Sequence, residues 1–220
     1  MLAGIDLGGT QVRVALARSD GNLIASVKTK TPLFRTPQAM VDWAAAEIDR
    51  HRGREKVRSI ALAAPGPIDQ KRGVLVNPPN LPWRNVPFAA MLSRATGAKV
   101  HLANDADMAG LGEFVRGAGR GTRNMVYITW STGVGGGTII DGKLHRGAHG
   151  TASEIGHMII DPNGPLDRCG QRGCLEAFIG GASLARETGS PAIELFASAA
   201  AGDARARMVV ERSARLLGLA

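Results

Sequence analysis

Apolar and polar side chains alternate with period two from the N-terminus through Thr29. Leu2 to Leu7, Gln11 to Ala17 and Leu23 to Thr29 therefore read as three strands, rich in Val, Ile and Leu. Gly8-Gly9 and Asp20-Gly21-Asn22 interrupt them, and connections this short imply an antiparallel meander. The period then changes. Thr36 suits a helix cap, Pro37 suits the first helical position, and Met40, Ala44 and Ile48 recur on one face. Arg58 to Ala63 is the next strand, ending at Ala64-Pro65-Gly66-Pro67. Residues 73–87, rich in Pro and Asn, predict an ordered loop holding a short strand. A second helix, Pro87 to Thr96, stops at Gly97, and Lys99 to Leu102 lead as a strand into Asn104-Asp105.

Beyond that point the organisation repeats loosely. A helix is predicted over Ala106 to Val115, then a flexible link from Gly117 to Gly121. Strands follow at Met125 to Trp130 and Gly137 to Ile140, with Asp141-Gly142 turning into Lys143-Leu144. Ala148 to Gly181 reads as loop-rich, and two helices close the chain near Pro191 to Ala200 and Asp203 to Leu217. Strands, a Gly-rich turn and a helix in each half predict two related α/β lobes, 1–103 and a larger 104–220. Leu216, Leu217 and Leu219 on the last helix are expected to present an apolar face with nothing after it to pack against.

At 220 residues and 44% hydrophobic, the chain can bury a sizeable core. No apolar run reaches the ~20 residues of a membrane helix, and the N-terminus has no signal-peptide pattern, so no membrane partner is expected. Two cysteines without such a signal suggest a reducing, cytoplasmic setting. The net charge of +8 invites a nucleic-acid reading. It is set aside because the cations are dispersed and no helix-turn-helix precedes Asp6; the expected partners exclude nucleic acid. A positive field still favours an anionic substrate such as a nucleotide.

Several clusters carry candidate chemistry. In Asp6-Leu7-Gly8-Gly9-Thr10, with Arg13 in the next strand, bare backbone amides can approach a phosphate. Asp6 there could hold hydrated Mg2+; a plain Gly-Gly hairpin is the alternative. Ser131-Thr132-Gly133-Val134-Gly135 suits a second phosphate grip, although neither turn is a Walker sequence. Asn104-Asp105 ends a strand and opens a helix, so Asp105 is either a reactive carboxylate at a strand end or simply the helix cap. Glu154-Ile155-Gly156-His157 and Cys169-Gly170-Gln171-Arg172-Gly173-Cys174-Leu175-Glu176 combine zinc-ligand types with carboxylates that accept hydroxyls. Buried thiols beside a surface histidine are the alternative.

These segments, together with Pro65-Gly66-Pro67 and Asn80-Leu81-Pro82-Trp83, are co-linear over the whole chain and resemble the ROK family of sugar kinases and related repressors. The resemblance implies an actin-like, hexokinase-type (ribonuclease H-like) ATPase fold, with a cleft between two lobes. It further implies ATP-dependent phosphorylation of a hexose at its 6-hydroxyl, glucokinase-like, with Asp105 as general base. Gly66, Asn80, Asn104, Asp105, Glu154, His157 and Glu176 would hold the sugar. Asp6, Gly8, Gly9, Thr10, Arg13, Ser131, Thr132, Gly133 and Gly135 would hold ATP and Mg2+. A homodimer is the family's usual form. The alternatives are an N-acetylmannosamine or N-acetylglucosamine kinase, a sugar-binding relative with impaired nucleotide binding, and a sugar-responsive repressor.

Two departures accompany the resemblance. The family's zinc segment opens with a cysteine where this chain has Asp167, so the implied structural zinc set is His157, Asp167, Cys169 and Cys174. Family members are also longer, with a further C-terminal part that supplies a strand, a loop against adenine and a last helix. The chain is therefore expected to be truncated, or completed by a partner.

Overall fold

The computed structural model describes residues 1–78 and 80–220. Two compact units emerge, Met1–Met108 and Ala109–Ala220.

In the first unit, β1 (Leu2–Leu7), β2 (Gln11–Ala17) and β3 (Leu23–Lys30) form the expected antiparallel meander. α1 (Pro37–Arg52) follows, its N-terminus capped by the Thr36 hydroxyl, which accepts from the Ala39 amide. β4 (Ser59–Ala64) pairs parallel with β1, and β7 (Lys99–Asn104) pairs parallel with β4, so the sheet order is β3-β2-β1-β4-β7. A small hairpin of β5 (Ile68–Asp69) and β6 (Val74–Leu75) and the helix α2 (Phe88–Thr96) lie between the last two strands in sequence. Gly97, in the left-handed conformation, ends α2 as expected.

Period-two patterning decides the register. Ala3, Ile5 and Leu7 of β1, Val12, Val14 and Leu16 of β2, and Ile60 and Leu62 of β4 join one core. Met40, Val41, Ala44 and Ile48 of α1 and Phe88 and Leu92 of α2 complete it. Each fully buried Val, Leu, Ile, Phe or Met side chain among these contributes about 1.5–3 kcal/mol. The opposite parity of β1 and β2 is exposed or half-buried, and it carries the exposed Asp6 and Arg13.

α3 (Asp105–Arg116) begins where β7 ends, and the division between the units falls within it. In the second unit, β8 (Met125–Trp130), β9 (Val134–Ile140) and β10 (Lys143–His145) make an antiparallel sheet. β9 starts three residues earlier than the pattern suggests: Gly135, Gly136 and Gly137 are extended and pair with Thr129, Ile128 and Tyr127. Glycine has weak strand propensity, but a Cβ on Gly136 would meet the Ser153 carbonyl at 2.8 Å and Ile155 Cδ1 at 2.6 Å. Packing overrides propensity there.

Four helices follow: α4 (Leu175–Ile179), α5 (Gly181–Thr188), α6 (Ala192–Ala200) and α7 (Ala204–Leu219). α4 and most of α5 lie in or just past the segment read as loop-rich; α4 is five residues long and α5 opens on glycine, so neither shows a helical period. The expectation of an unsupported leucine face on α7 is corrected. Leu216 and Leu217 pack against Val134, Leu175 and Ile179, and Leu219 alone of the three is exposed, at 75%. No helix among the described residues is long and apolar enough to cross a membrane.

Candidate active site

In the first unit the Gly8-Gly9 turn closes the β1–β2 hairpin, with the Gly8 amide donating to the Gln11 carbonyl at 2.9 Å. Asp6 and Arg13 are cross-strand partners at its base, on the exposed face. Neither Gly8 nor Gly9 has a positive φ, so the glycines are there for space. A Cβ on Gly9 would stand 2.6 Å from the Asn80 carbonyl oxygen and 2.8 Å from Asn80 Cβ. Asn80, exposed, is held in position by its neighbours: Leu81 and Trp83 are buried, and Trp83 stands edge-on to Phe88 with ring centroids 5.8 Å apart. A turn suited to phosphate thus lies directly against a predicted sugar-holding residue.

Asn104 and Asp105 sit at the carboxyl end of β7, level with the ends of β4 and β1: Ala64 pairs with Asn104, and Asp6 with Ala63. The structure settles which of the two caps α3. Asn104 Oδ1 accepts the Asp107 amide at 3.1 Å, as an N-cap side chain does. Asp105 Oδ1 accepts the amide of its neighbour Ala106, at 2.9 Å. Gly66 lies beside Asn104, a Cβ there standing 3.7 Å from its Nδ2. The Asp105 residue retains access to solvent, yet desolvation by the surrounding chain pushes its carboxyl above the ordinary carboxylate range. The Asp6 charge adds to the rise, and the amides of Ala106 and Asp105 oppose it. A carboxylate of raised basicity at strand ends is suited to take a proton.

In the second unit, Ser131, Thr132 and Gly133 link β8 to β9, the Ser131 amide donating to the Gly133 carbonyl at 2.9 Å. Glu176, in the first turn of α4, reaches across: its Oε2 accepts the Val134 amide at 2.7 Å. The carboxylate passes where a Cβ on Gly133 would be, which excludes any larger residue from the turn. Gly156 lies as tightly against the Val134 carbonyl, seating the single 3-10 turn Ile155–His157 on the start of β9. Glu154 and His157, at the two ends of that turn, stand 4.0 Å apart, Oε2 to Nε2. Ser131, Thr132, Gly133, Glu154, His157 and Glu176 are therefore brought together within this unit.

His157, Asp167, Cys169 and Cys174 also converge, one ligand atom from each lying within 4.8 Å of the others. His157 Nδ1 is 3.5 Å from Asp167 Oδ2, and the two sulfurs are 3.5 Å apart, too far for a disulfide and close to the edge of a zinc tetrahedron. Gly170 and Gly173 have φ of 88° and 73°, the left-handed turns that swing both sulfurs inward. Asp167 and Cys174 are buried, while the His157 side chain is 40% exposed. Burial, with a hydrogen bond to Asp167, pushes the Cys169 thiol up to about 11. Desolvation also opposes ionisation of Asp167, but hydrogen bonds from Cys169 and the Arg168 and Cys169 amides outweigh it and lower that carboxyl. A bound divalent cation removes the thiol protons. Two sulfurs, an imidazole and a carboxylate at this spacing fit zinc.

Three supporting features escape sequence reading. Thr31, buried, donates from Oγ1 to the Gly8 carbonyl at 2.7 Å and from its amide to the Thr10 carbonyl at 3.0 Å. Gly181 and Ala182 donate their amides to the Ser131 and Thr132 carbonyls at 2.9 and 3.0 Å, bracing the second turn on the start of α5. Trp130 Nε1 donates to the Ile179 carbonyl at 2.6 Å. The Gly180-Gly181 doublet was the one available signal.

Two mixed α/β units, each with a Gly-rich hairpin turn beside carboxylates, are what the actin-like fold is built from. The chain belongs to the ROK family, which it matches over residues 2–220. It is 39% identical over 186 residues to the glucokinase of Thermotoga maritima, which covers 84% of this chain and 59% of that protein. It is 36% identical over 219 residues to an N-acetylmannosamine kinase of Escherichia coli, covering 97% of this chain and 74% of the relative. The ROK family glucokinase of Streptomyces griseus, solved in complex with glucose and AMPPNP, superposes with a TM-score of 0.80 at 31% identity, covering 98% of this chain and 76% of that one. The chain thus spans under three fifths of the length of the Thermotoga relative, at 59%.

Proposed function

We propose that the protein transfers the γ-phosphoryl group of ATP to the 6-hydroxyl of a hexose, with glucose the first candidate. The observation that carries this reading is the division of labour between Asn104 and Asp105. The asparagine takes the cap, which leaves the aspartate as a carboxylate of raised pKa at the strand ends. Asp105 takes the proton of the hydroxyl as its oxygen attacks phosphorus, a contribution of roughly 10²–10⁴-fold. Backbone amides of the Gly8-Gly9 and Ser131–Gly133 turns, with Thr10, Arg13, Thr132 and Gly135, offset charge on the phosphates. Mg2+ held through Asp6 would supply further charge neutralisation. Gly66, Asn80, Asn104, Glu154, His157 and Glu176 orient the sugar. Zinc on His157, Asp167, Cys169 and Cys174 would be structural, fixing the His157 tautomer.

A coupled assay with MgATP and glucose, mannose, N-acetylmannosamine and N-acetylglucosamine tests this. The expected result is turnover with at least one sugar. Sugar binding without turnover on any of them would leave a binding protein and overturn the proposal. The 36% identity to an N-acetylmannosamine kinase across 97% of the chain favours an N-acetylhexosamine as the second substrate reading, and the same panel decides it. A cytoplasmic homodimer is the expected assembly, checked by light scattering.

A further inference from the structure

We propose that Ser153 is a positioning residue for the sugar: the hydrogen bond from its hydroxyl to Thr138 fixes a left-handed bend that presents Glu154 to the ligand. This rests on the reading above, in which Glu154 and His157 orient the sugar.

Among the described residues, three other than glycine have positive φ: Asn85 at 53°, Asp141 at 49° and Ser153 at 67°. Asn and Asp visit the left-handed region readily, and Asp141 precedes Gly142 in the turn between β9 and β10. Serine lacks that preference. The segment leading to it uses glycine at two other left-handed positions, Gly147 at 67° and Gly150 at 76°. At 153 the chain keeps a side chain where glycine would cost less.

That side chain has a partner. Ser153 Oγ donates to Thr138 Oγ1 at 2.6 Å. Thr138 lies in β9, paired with Val126 on one side and His145 on the other. Side chains alternate along a strand, so Val134, Gly136 and Thr138 share one face. That face seats the whole segment: Gly156 lies against Val134, and the Ser153 carbonyl and the Ile155 side chain crowd Gly136.

Glu154 is thereby left between two anchored neighbours, Ser153 and Ile155. Its carbonyl accepts the His157 amide at 3.0 Å, closing the 3-10 turn, and the residue is exposed. A carboxylate on a fixed Cα has fewer conformations to lose when a hydroxyl binds it. Without the Ser153 tether the bend relaxes toward ordinary backbone conformations, and the competent arrangement is populated less. The Ser131–Gly133 turn is held elsewhere, by Glu176 on the Val134 amide and by the Gly181 and Ala182 amides. Nucleotide binding should therefore change little.

The experiment uses the full chain. Sugar Kd is measured by calorimetry for glucose and the two N-acetylhexosamines, and MgATP KM by the coupled assay. Ser153→Ala and Thr138→Val each delete one side of the bond. Both should weaken the tightest-binding sugar at least ~5-fold, with MgATP KM within ~2-fold of wild type. The double variant should be no weaker than either single one, because all three delete one interaction. Thr138→Ser keeps the acceptor and should restore wild-type affinity. Ser153→Gly relieves the bend, so it should fold and still lose sugar affinity; it decides the matter if the other variants do not fold. Sugar Kd unmoved in Ser153→Gly, equal losses for sugar and MgATP, or additive losses in the double variant would overturn the inference. Wild-type protein that binds none of these sugars would sink the kinase reading itself, a distinct outcome that takes the inference with it.

Discussion

Gly9 lies against Asn80 so closely that no side chain can be added at Gly9 without displacing the Asn80 backbone. The contact joins a turn suited to phosphate to a residue suited to a sugar hydroxyl, and both are anchored by the same core.

Gly9→Ala should therefore behave as an overpacking change with a functional consequence. About 1–3 kcal/mol is expected from the forced shift, and a fall in kcat/KM of at least ~10-fold for each ~1.4 kcal/mol lost from the transition state. Gly4→Ala in the preceding strand β1 is the control, because a Cβ there has nothing within 4 Å. Equal Tm and activity in the two variants would remove the significance of the contact.

Thr31→Val removes the hydroxyl that holds the Gly8 carbonyl while keeping the shape. Leaving that acceptor unsatisfied costs about 1–3 kcal/mol. If the turn grips phosphate, KM for ATP should rise more than KM for sugar, and Thr31→Ser should restore it. A purely structural role would lower Tm without splitting the two KM values.

Asp105→Asn should retain sugar binding and lose at least ~100-fold in turnover. It should also reveal the strain of ionising that carboxyl. Its folded pKa is raised above the ordinary 3.8, so the stability it contributes is present below that value and lost as pH rises through the folded pKa. The asparagine variant should thus gain in Tm relative to wild type as pH is raised from acid to neutral. A Tm difference flat across that range would contradict the assignment.

Glu187 and Arg212 form a bidentate pair between α5 and α7, at 2.8 and 2.6 Å, both about half exposed. The Arg212 guanidinium lowers the Glu187 carboxyl below its usual 4.5, so the pair's stabilisation is present above that value and lost as pH falls through the folded pKa. Glu187→Gln should cost about 0.2–1 kcal/mol at neutral pH and less in high salt. Denaturant melts at two pH values check it.

Metal analysis of the purified protein should find about one zinc per chain on the four-ligand set. Asp167→Ala should weaken retention against a chelator by more than the roughly 10–100-fold that loss of a ligand's hydrogen-bond partner costs. Asp167→Cys, which supplies a third thiolate, should hold zinc at least as well as wild type. Full zinc occupancy in Asp167→Ala would remove the carboxylate from the site.

The meander β1–β3, the capped helix α1 and the end of α2 at Gly97 were legible in the sequence, because period, cap and turn chemistry act over a few residues. Motifs such as Asp6–Thr10 and Cys169–Glu176 marked the candidate residues in the same local way, through turn and ligand chemistry. Tertiary packing decided the rest. It set β9 starting inside a glycine run, made a helix of Leu175–Ile179, seated Leu216 and Leu217 on a core, and gave the α3 cap to Asn104 rather than Asp105. It also brought Thr31 to Gly8 and Glu176 to Val134, partners 23 and 42 residues apart. Contacts at that separation leave no local periodicity, since their free energy comes from surfaces that meet only once the chain is folded.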